Sequence, residues 1–512
     1  MATQWQTYPI EFKGGLLSNL SPLQQGSNAV GSATILQNFE PNKDGGYSKL
    51  LGYTKYSSTA VTGSGPILAL KVISSGRVVA ARKNGSNQTQ YYYGTGTSWT
   101  SMATSVGTNG GKARHAEFNL NGDDKVVFVD GTNYPAIYNT SGNTMSFMTS
   151  SNSTDVSGAE HVAIFKNTAF YAKGNVVYFT APLTVDDFSA ANGAGSISVG
   201  HDVTGLTIFR DQLIIFTTDT IQRLTGNASA DFNLSPITNR IGCINGDTIQ
   251  EVGGDVIYLA PDGIRLLSAT DRIGDFALDV ASDSIYRDAT SFLNTSDIFS
   301  SMILRDKSQY RIFAYVSSER NSVAKGLIAT KFIAQGSSGI SWATTKGIKA
   351  YVADSRYAGD QETAMFANDD GYVYKMETGS NFDGSNIEAI YESPFMPIND
   401  PQMRKTFYKM TLYATPTGST SIDLNIKYDF DSPTTIQPST QSIASSGTSV
   451  FLYGASGAIY NTATYGGELD KIYNTNLIGS AKTIAIRIEE NSTNPTFTLD
   501  TALLEYRQND RQ

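Results

Sequence analysis

From about residue 65 to residue 380 the chain repeats one pattern. A short run of apolar residues, rich in β-branched and aromatic side chains, is closed off by Gly, Asp or Asn. The runs are Arg77–Ala81 (RVVAA), Lys125–Val129 (KVVFV), Asn175–Phe179 (NVVYF), Gln212–Phe216 (QLIIF), Asp255–Leu259 (DVIYL), Arg311–Val316 (RIFAYV) and Ala364–Ala367 (AMFA). Runs of this length predict strands buried on both faces. Several are followed by a turn and a second strand, as in TTDTIQRL (217–224), APDGIRLL (260–267) and NDDGYVYKM (368–376). Asp262-Gly263 and Asp370-Gly371 read as type I′ hairpin turns, which need positive φ at both central residues. The runs start about 37 to 56 residues apart. Self-similarity near that period marks propeller blades, small antiparallel sheets that bury their faces by stacking around an axis. The period is ragged and carries no WD or kelch signature, so the count is six or seven blades.

Outside this region the pattern changes. Residues 409–415 (KMTLYAT), 422–430 (IDLNIKYDF), 483–490 (TIAIRIEE) and 497–506 (FTLDTALLEY) alternate apolar with polar positions, as half-exposed antiparallel strands do. A low-complexity stretch (433–449) separates the pairs, and Pro394, Pro397 and Pro401 mark the boundary with the propeller. Residues 1–60 are punctuated by Gly14-Gly15, Ser21-Pro22, Gly26 and Gly45-Gly46, with sparse, aperiodic apolar residues. The predicted fold is therefore all-β. It has an extended N-terminal arm (1–60), an irregular β-propeller (61–384) and a C-terminal β-sandwich or barrel-like domain (385–512).

Composition narrows the function. Only 17% of the 512 residues are charged, and the net charge is −9. So acidic a chain lacks the clustered Lys and Arg that grip phosphates, although nucleic acid can still pass it without being held. One cysteine, Cys243, excludes a disulfide framework and any Cys-based metal site. No stretch has the length of a membrane span. The start, MATQWQTYPIEFKGG, has neither the basic residues nor the apolar core of a secretory signal, so synthesis in the cytosol without membrane insertion is expected.

The chain offers little chemistry. It has no phosphate-binding loop ending in Gly-Lys-Ser/Thr, no HExxH, no GxSxG and no sialidase-type Ser-x-Asp-x-Gly-x-x-Trp box. His115, His161 and His201 each fall near a different blade. They either converge at the axis as metal ligands or are separate turn and surface residues, and the second reading is favoured. Cys243 reads as a buried structural thiol. Asp123-Asp124, Asp186-Asp187 and Asp369-Asp370 are carboxylate pairs of the type glycosidases use, but all three sit where turns are predicted. Asn368–Gly371 lacks the rest of a calcium loop. Arg404-Lys405, with Lys409, is too small for a nucleic-acid face and reads as a local salt bridge. No cofactor or metal is expected.

Three blocks carry a resemblance. The first is EFKGGL (11–16), SPLQQGSNAVGSATILQNFEP (21–41) and GGYSKLLGY (45–53). The second is LSPITNRIGCING (234–246) with VIYLAPDGIRLLS (256–268). The third is SPFMPINDPQMRKTFYKMTLY (393–413). In this order they resemble the tail nozzle proteins of short-tailed bacteriophages, also called tail tubular protein B or packaged-DNA stabilisation proteins. The resemblance implies a non-enzymatic homohexameric ring at the distal end of the virion tail. It would sit below a dodecameric adapter, retain packaged DNA and conduct it through the lumen during ejection, with tail fibres or spikes at its side. It makes Phe39, Glu40, Pro41, Tyr47, Tyr53, Arg404 and Lys405 candidate assembly contacts, and it makes residues 1–60 the part that joins the tube platform or a neighbouring subunit. Six copies would carry about −54, a sign that repels DNA phosphates from a lumen so that DNA slides. The alternatives are a propeller glycosidase or depolymerase and a receptor-binding tail protein. The 37–56-residue spacing is too long for the β-helical coils usual in the latter.

Overall fold

The computed structural model describes residues 5–102, 108–120, 123–268, 280–294, 296–316, 324–334, 337–445 and 471–509. Among these, six blades and a three-stranded sheet form a β-propeller ring; five of the blades are separate four-stranded sheets and the other is part of a nine-stranded sheet. Blades 1 to 4 follow the chain: Ser64–Val72 to Trp99–Ser101, Arg114–Leu120 to Thr144–Phe147, His161–Phe165 to Gly195–Ser198, and Val203–Phe209 to Asn233–Thr238. A three-stranded sheet, Gln250–Val252, Asp255–Ala260 and Gly263–Leu266, comes next. Blade 5 runs from Ile298–Leu304 to Ser337–Lys346, and blade 6 begins at Val352–Ala358. Separate apolar clusters fill the gaps between neighbours. Val79, Tyr91, Phe128 and Tyr138 pack between blades 1 and 2, and Phe216, Ile221 and Tyr258 between blade 4 and the three-stranded sheet.

The apolar runs of the sequence fall on the second strand of each sheet, except that Asn175–Phe179 falls on the third strand of blade 3. A second strand has strands on both sides and a blade on each face, so it buries nearly everything; Gln309–Tyr315 is buried at all seven positions. The predicted type I′ turns are not formed. Only the glycines of Asp262-Gly263 and Asp370-Gly371 have positive φ, and Pro261-Asp262 makes the first turn. Two-residue turns with positive φ at both positions occur instead at Lys166-Asn167 and Arg210-Asp211 (φ 48° and 61° in each), and Lys166 Nζ lies 2.6 Å from Asp211 across adjacent blades.

The C-terminal region is a β-sandwich. One layer contains Lys405–Pro416, Ile472–Asn476 and Phe497–Gln508, and the other Ile387–Glu392, Ser421–Tyr428, Gln441–Ala444 and Ile484–Ser492. Ile422, Leu424, Ile426 and Tyr428 point inward at alternate positions, against Met410, Leu412 and Leu504.

The N-terminal segment corrects the expectation of an extended arm. Gln6–Glu11, Phe39–Pro41 and Tyr47–Lys49 all pair with other strands of the first sandwich layer. Ile35–Gln37 lies between Ser337–Lys346 of blade 5 and Ile387–Glu392 of the sandwich, making one nine-stranded sheet across both domains. Tyr53–Lys55 is the outermost strand of blade 6, paired with Val373–Met376, so the N-terminal segment closes the ring begun at residue 64. Tyr53 stacks on Phe382 with ring centroids 4.8 Å apart.

Beside that closure lies a buried charge network. Arg311, on the second strand of blade 5, is 1% exposed; its Nη2 is 2.8 Å from Glu40 and its Nη1 2.7 Å from Glu377. Lys307 contacts both carboxylates, at 2.6 Å from Glu40. Removing one member of such a network leaves a buried charge short of its partner. Glu40→Ala is therefore expected to cost about 3 kcal/mol in urea unfolding, and Glu40→Gln less. A chain beginning at Val61 is expected to show no cooperative unfolding transition, because blade 6 loses its outer strand and the sandwich loses three.

Candidate functional site

The predicted assembly contacts lie mostly inside the chain. Phe39 and Tyr47 are 0% exposed and Glu40 4%. Phe39 meets Phe497 edge-on at 5.7 Å. Tyr47 donates to Gly31 O and accepts from Gly15 N, both at 2.9 Å. Pro41 is buried in its strand, and Tyr53 is packed in blade 6. Lys405 is 0% exposed and donates to Pro397 O, Asp400 O and Lys482 O, so it braces the proline-marked boundary from within. Burial pulls its ammonium down to about 8. Only Arg404 of the seven is half exposed; it donates to Ser480 O at 2.7 Å and lies 3.7 Å from Asp429. The six buried or packed residues thus act as internal joints, which corrects the reading of them as contacts offered to a partner.

Two of the three histidines do converge. His115 and His161 line a cavity of about 230 Å³ on the propeller axis, while His201 is half exposed and lies 3.8 Å from Asp219. Every sheet of the ring contributes to the wall: Leu70, Lys112 to His115, His161, Leu206, Asp247 with Gln250, Ser300 with Ser301, and Asp354. No group of three metal-binding side chains occurs among the described residues. The axis carries ion pairs instead. Asp247 lies 2.7 Å from Arg114 and 3.1 Å from Lys112. Lys71 lies 3.2 Å from Asp354 and 2.9 Å from Glu117, which also pairs with Arg356.

These partners fix the charge states. Burial alone would raise the Asp247 carboxyl, but Lys112 and then Arg114 outweigh it and hold it well below the ordinary carboxylate range. Burial pushes His115 down to about 4, with Lys71 adding to it, and His161 down to about 3, with Arg114 adding to it. Both imidazoles are neutral at pH 7. Asp247 and Asp354 have no carboxylate neighbour in sequence, so no carboxylate-pair pattern marks them.

The predicted carboxylate pairs serve turns and strand starts. Asp123 and Asp124 open a strand of blade 2. Asp187 accepts from Ser189 N and Asn192 Nδ2. Asp369 lies 3.2 Å from Lys349, and Asp370 accepts from Tyr372 N and Tyr374 OH. Asn368 Oδ1 accepts from Asp370 N, so this loop spends its oxygens on itself. Cys243 is fully buried, and burial pushes its thiol up to about 12.

No protein-family model matches the chain, and comparison with curated proteins finds no match. Similar solved structures include the extracellular domain of a hybrid two-component system from B. thetaiotaomicron, at 10% identity and TM-score 0.41 over 70% of this chain. The chain spans 42% of that domain. The WD40 domain of Neurospora crassa Pan2 matches at 9% identity and TM-score 0.39, over 64% of this chain and 96% of that one. The exo-β-1,3-galactanase of Phanerochaete chrysosporium matches at 10% identity and TM-score 0.25, over 89% and 100%. At these TM-scores none bears on the activity, ligand or partner of this chain.

The neutral axial histidines set a pH dependence. As pH falls through 6.5 the unfolded chain takes up protons that the folded chain refuses. Their contribution to stability is therefore complete above pH 6.5 and is lost towards pH 4 and 3. For His161 the loss between pH 7 and pH 5 is about 2 kcal/mol. Thermal or urea unfolding of His161→Gln should fall less steeply over that interval by this amount; an unchanged slope would count against a buried neutral imidazole.

Proposed function

We propose that the chain is a structural component of a short phage tail, a nozzle subunit that assembles as a homohexamer below a dodecameric adapter, retains packaged DNA and conducts it during ejection. One observation carries this reading: the residue blocks that resemble tail nozzle proteins are the joints of the architecture. The first block closes the propeller ring and stitches it to the sandwich. The third packs directly on it, since a Cβ on Gly26 would lie 2.0 Å from Phe395 O. The second forms the last strand of blade 4 and the neighbouring three-stranded sheet. A likeness concentrated in joints is a likeness of architecture, as distinct from one concentrated in loops around a cavity. The net charge of −9 fits a ring past which DNA slides.

The state of the axial carboxylates also favours a non-enzymatic role. A glycosidase needs one carboxyl that keeps a proton to give to the leaving group. Asp247 is held as the anion by two cations, and Asp354 accepts from Lys71 and from Val72 N.

Negative-stain electron microscopy of the purified chain, alone and with an adapter dodecamer, tests the proposal. Six-fold rings, or six copies capping a twelve-fold adapter, are expected. Monomers that ignore the adapter, together with cleavage of bacterial polysaccharide, would overturn it in favour of a depolymerase.

A further inference from the structure

We propose that the axial cavity is a binding site for a small monovalent carboxylate. The first ground is charge. Lys71, Arg356, Glu117 and Asp354 balance one another on one side of the axis. On the other side the cations Lys112 and Arg114 both reach the carboxylate Asp247, and the exposed Glu160 acts on Arg114 alone. Burial costs the Lys112 ammonium more than Asp247 returns, and Arg114 adds to the deficit, so Lys112 is the cation short of counter-charge.

The second ground is donors. Arg114 spends Nε and one N–H of Nη2 on Asp247 and one N–H of Nη1 on Glu160 O. Lys112 donates to Phe299 O at 2.7 Å and to Asp247, which leaves the third of its three N–H groups. His161 is 7% exposed, lines the cavity and makes no side-chain hydrogen bond among the described residues. A donor that faces the cavity without an acceptor favours a ligand that brings one. A carboxylate supplies what both residues lack: one negative charge and two acceptor oxygens, one for Lys112 and one for His161.

Size and shape set the limits. At about 30 Å³ per water, 230 Å³ holds roughly seven waters. That admits an acid of a few heavy atoms with residual water. It is too small for a nucleotide or an oligosaccharide. Gly246 keeps the space open, since a Cβ there would lie 2.9 Å from the His161 ring.

The test is calorimetric titration of the full chain with sodium acetate at pH 7, with sodium chloride at equal ionic strength as the reference. One saturable site per chain for acetate is expected, with no such site for chloride. Lys112→Gln and His161→Gln should each weaken acetate at least tenfold. No saturable heat with acetate, or equal heat with chloride, would overturn the proposal. Should a variant fail to fold, the ring nitrogens of His161 in the native chain decide: their NMR shifts should move with acetate and not with chloride, and no movement would overturn it. The outcome is independent of ring assembly, because the site is built from one chain.

Discussion

The Arg311 guanidinium, almost wholly shut off from water, faces Glu40 on one side and Glu377 on the other, with Lys307 bridging the two carboxylates. These residues come from three separate places: the N-terminal segment, blade 5 and the end of blade 6. A propeller is a sheet array that stays exposed at an edge until its last blade is completed. Here completion depends on a strand of three residues, Tyr53–Lys55. Hydrogen bonds over so short a strand cannot hold it alone. Paired charges beside it fix which segments meet and in which register, since a slip would strand Arg311 without partners. Buried ion pairs commonly add little net stability over apolar packing, but they penalise the wrong arrangement heavily. Lys49 and Glu490 repeat the device on the sandwich side, with both side chains almost fully buried.

What the sequence reveals follows from how each strand is buried. Second strands are enclosed on all sides, so they read as continuous apolar runs. Inner strands line a polar axis and carry Lys71, Arg114, His115 and Asp354, so their pattern is broken by charge. Outer strands are short and wetter; in Trp99–Ser101 the tryptophan is partly buried and the other two residues are exposed. The sandwich strands alternate cleanly because one face meets the core and the other meets solvent. The shortest run spacing comes from blade 3, where Thr168–Lys173 (TAFYAK) is the second strand and the more apolar VVYF is the third; the longest spans the helix Tyr286–Asn294 ahead of blade 5.

The N-terminal segment was illegible for a physical reason. Its strands at 35–37, 39–41, 47–49 and 53–55 are three residues long, too short for a period of two to declare itself. Their partners lie hundreds of residues away, as when Leu36 pairs with Tyr391 and Tyr47 with Leu499. Aperiodic aromatic residues in a Gly-rich stretch look like a loop seeking a partner, and the partner is the chain's own C-terminal half. Lys405 misleads in the same way. A lysine beside an arginine reads as surface charge, yet three carbonyl acceptors allow it to be buried. Blade order puts His115 and His161 near different blades, but the favoured reading of them as separate turn and surface residues is corrected by the cavity they share. Their surroundings were not legible, because Asp247 and Arg114 meet across 133 residues.

The axis bears on how a nozzle built from this chain would carry DNA. Ion pairs between blades line it: Lys71 of blade 1 reaches Asp354 of blade 6, and Glu117 of blade 2 reaches past blade 1 to Arg356 of blade 6. The space left is a cavity of about 230 Å³, far too small for a duplex. Opening it would strand several charges in a low-dielectric interior and separate blades whose packing is the core. The propeller is therefore a rigid block and not a duct. Any conduit must lie between subunits, bounded by surfaces that one chain presents to its neighbours. Charge on those outer surfaces, and not the charge around the axis, would then govern passage of DNA. The excess of Asp and Glu over Lys and Arg, 47 against 38, would then act there, because the axial charges pair largely among themselves.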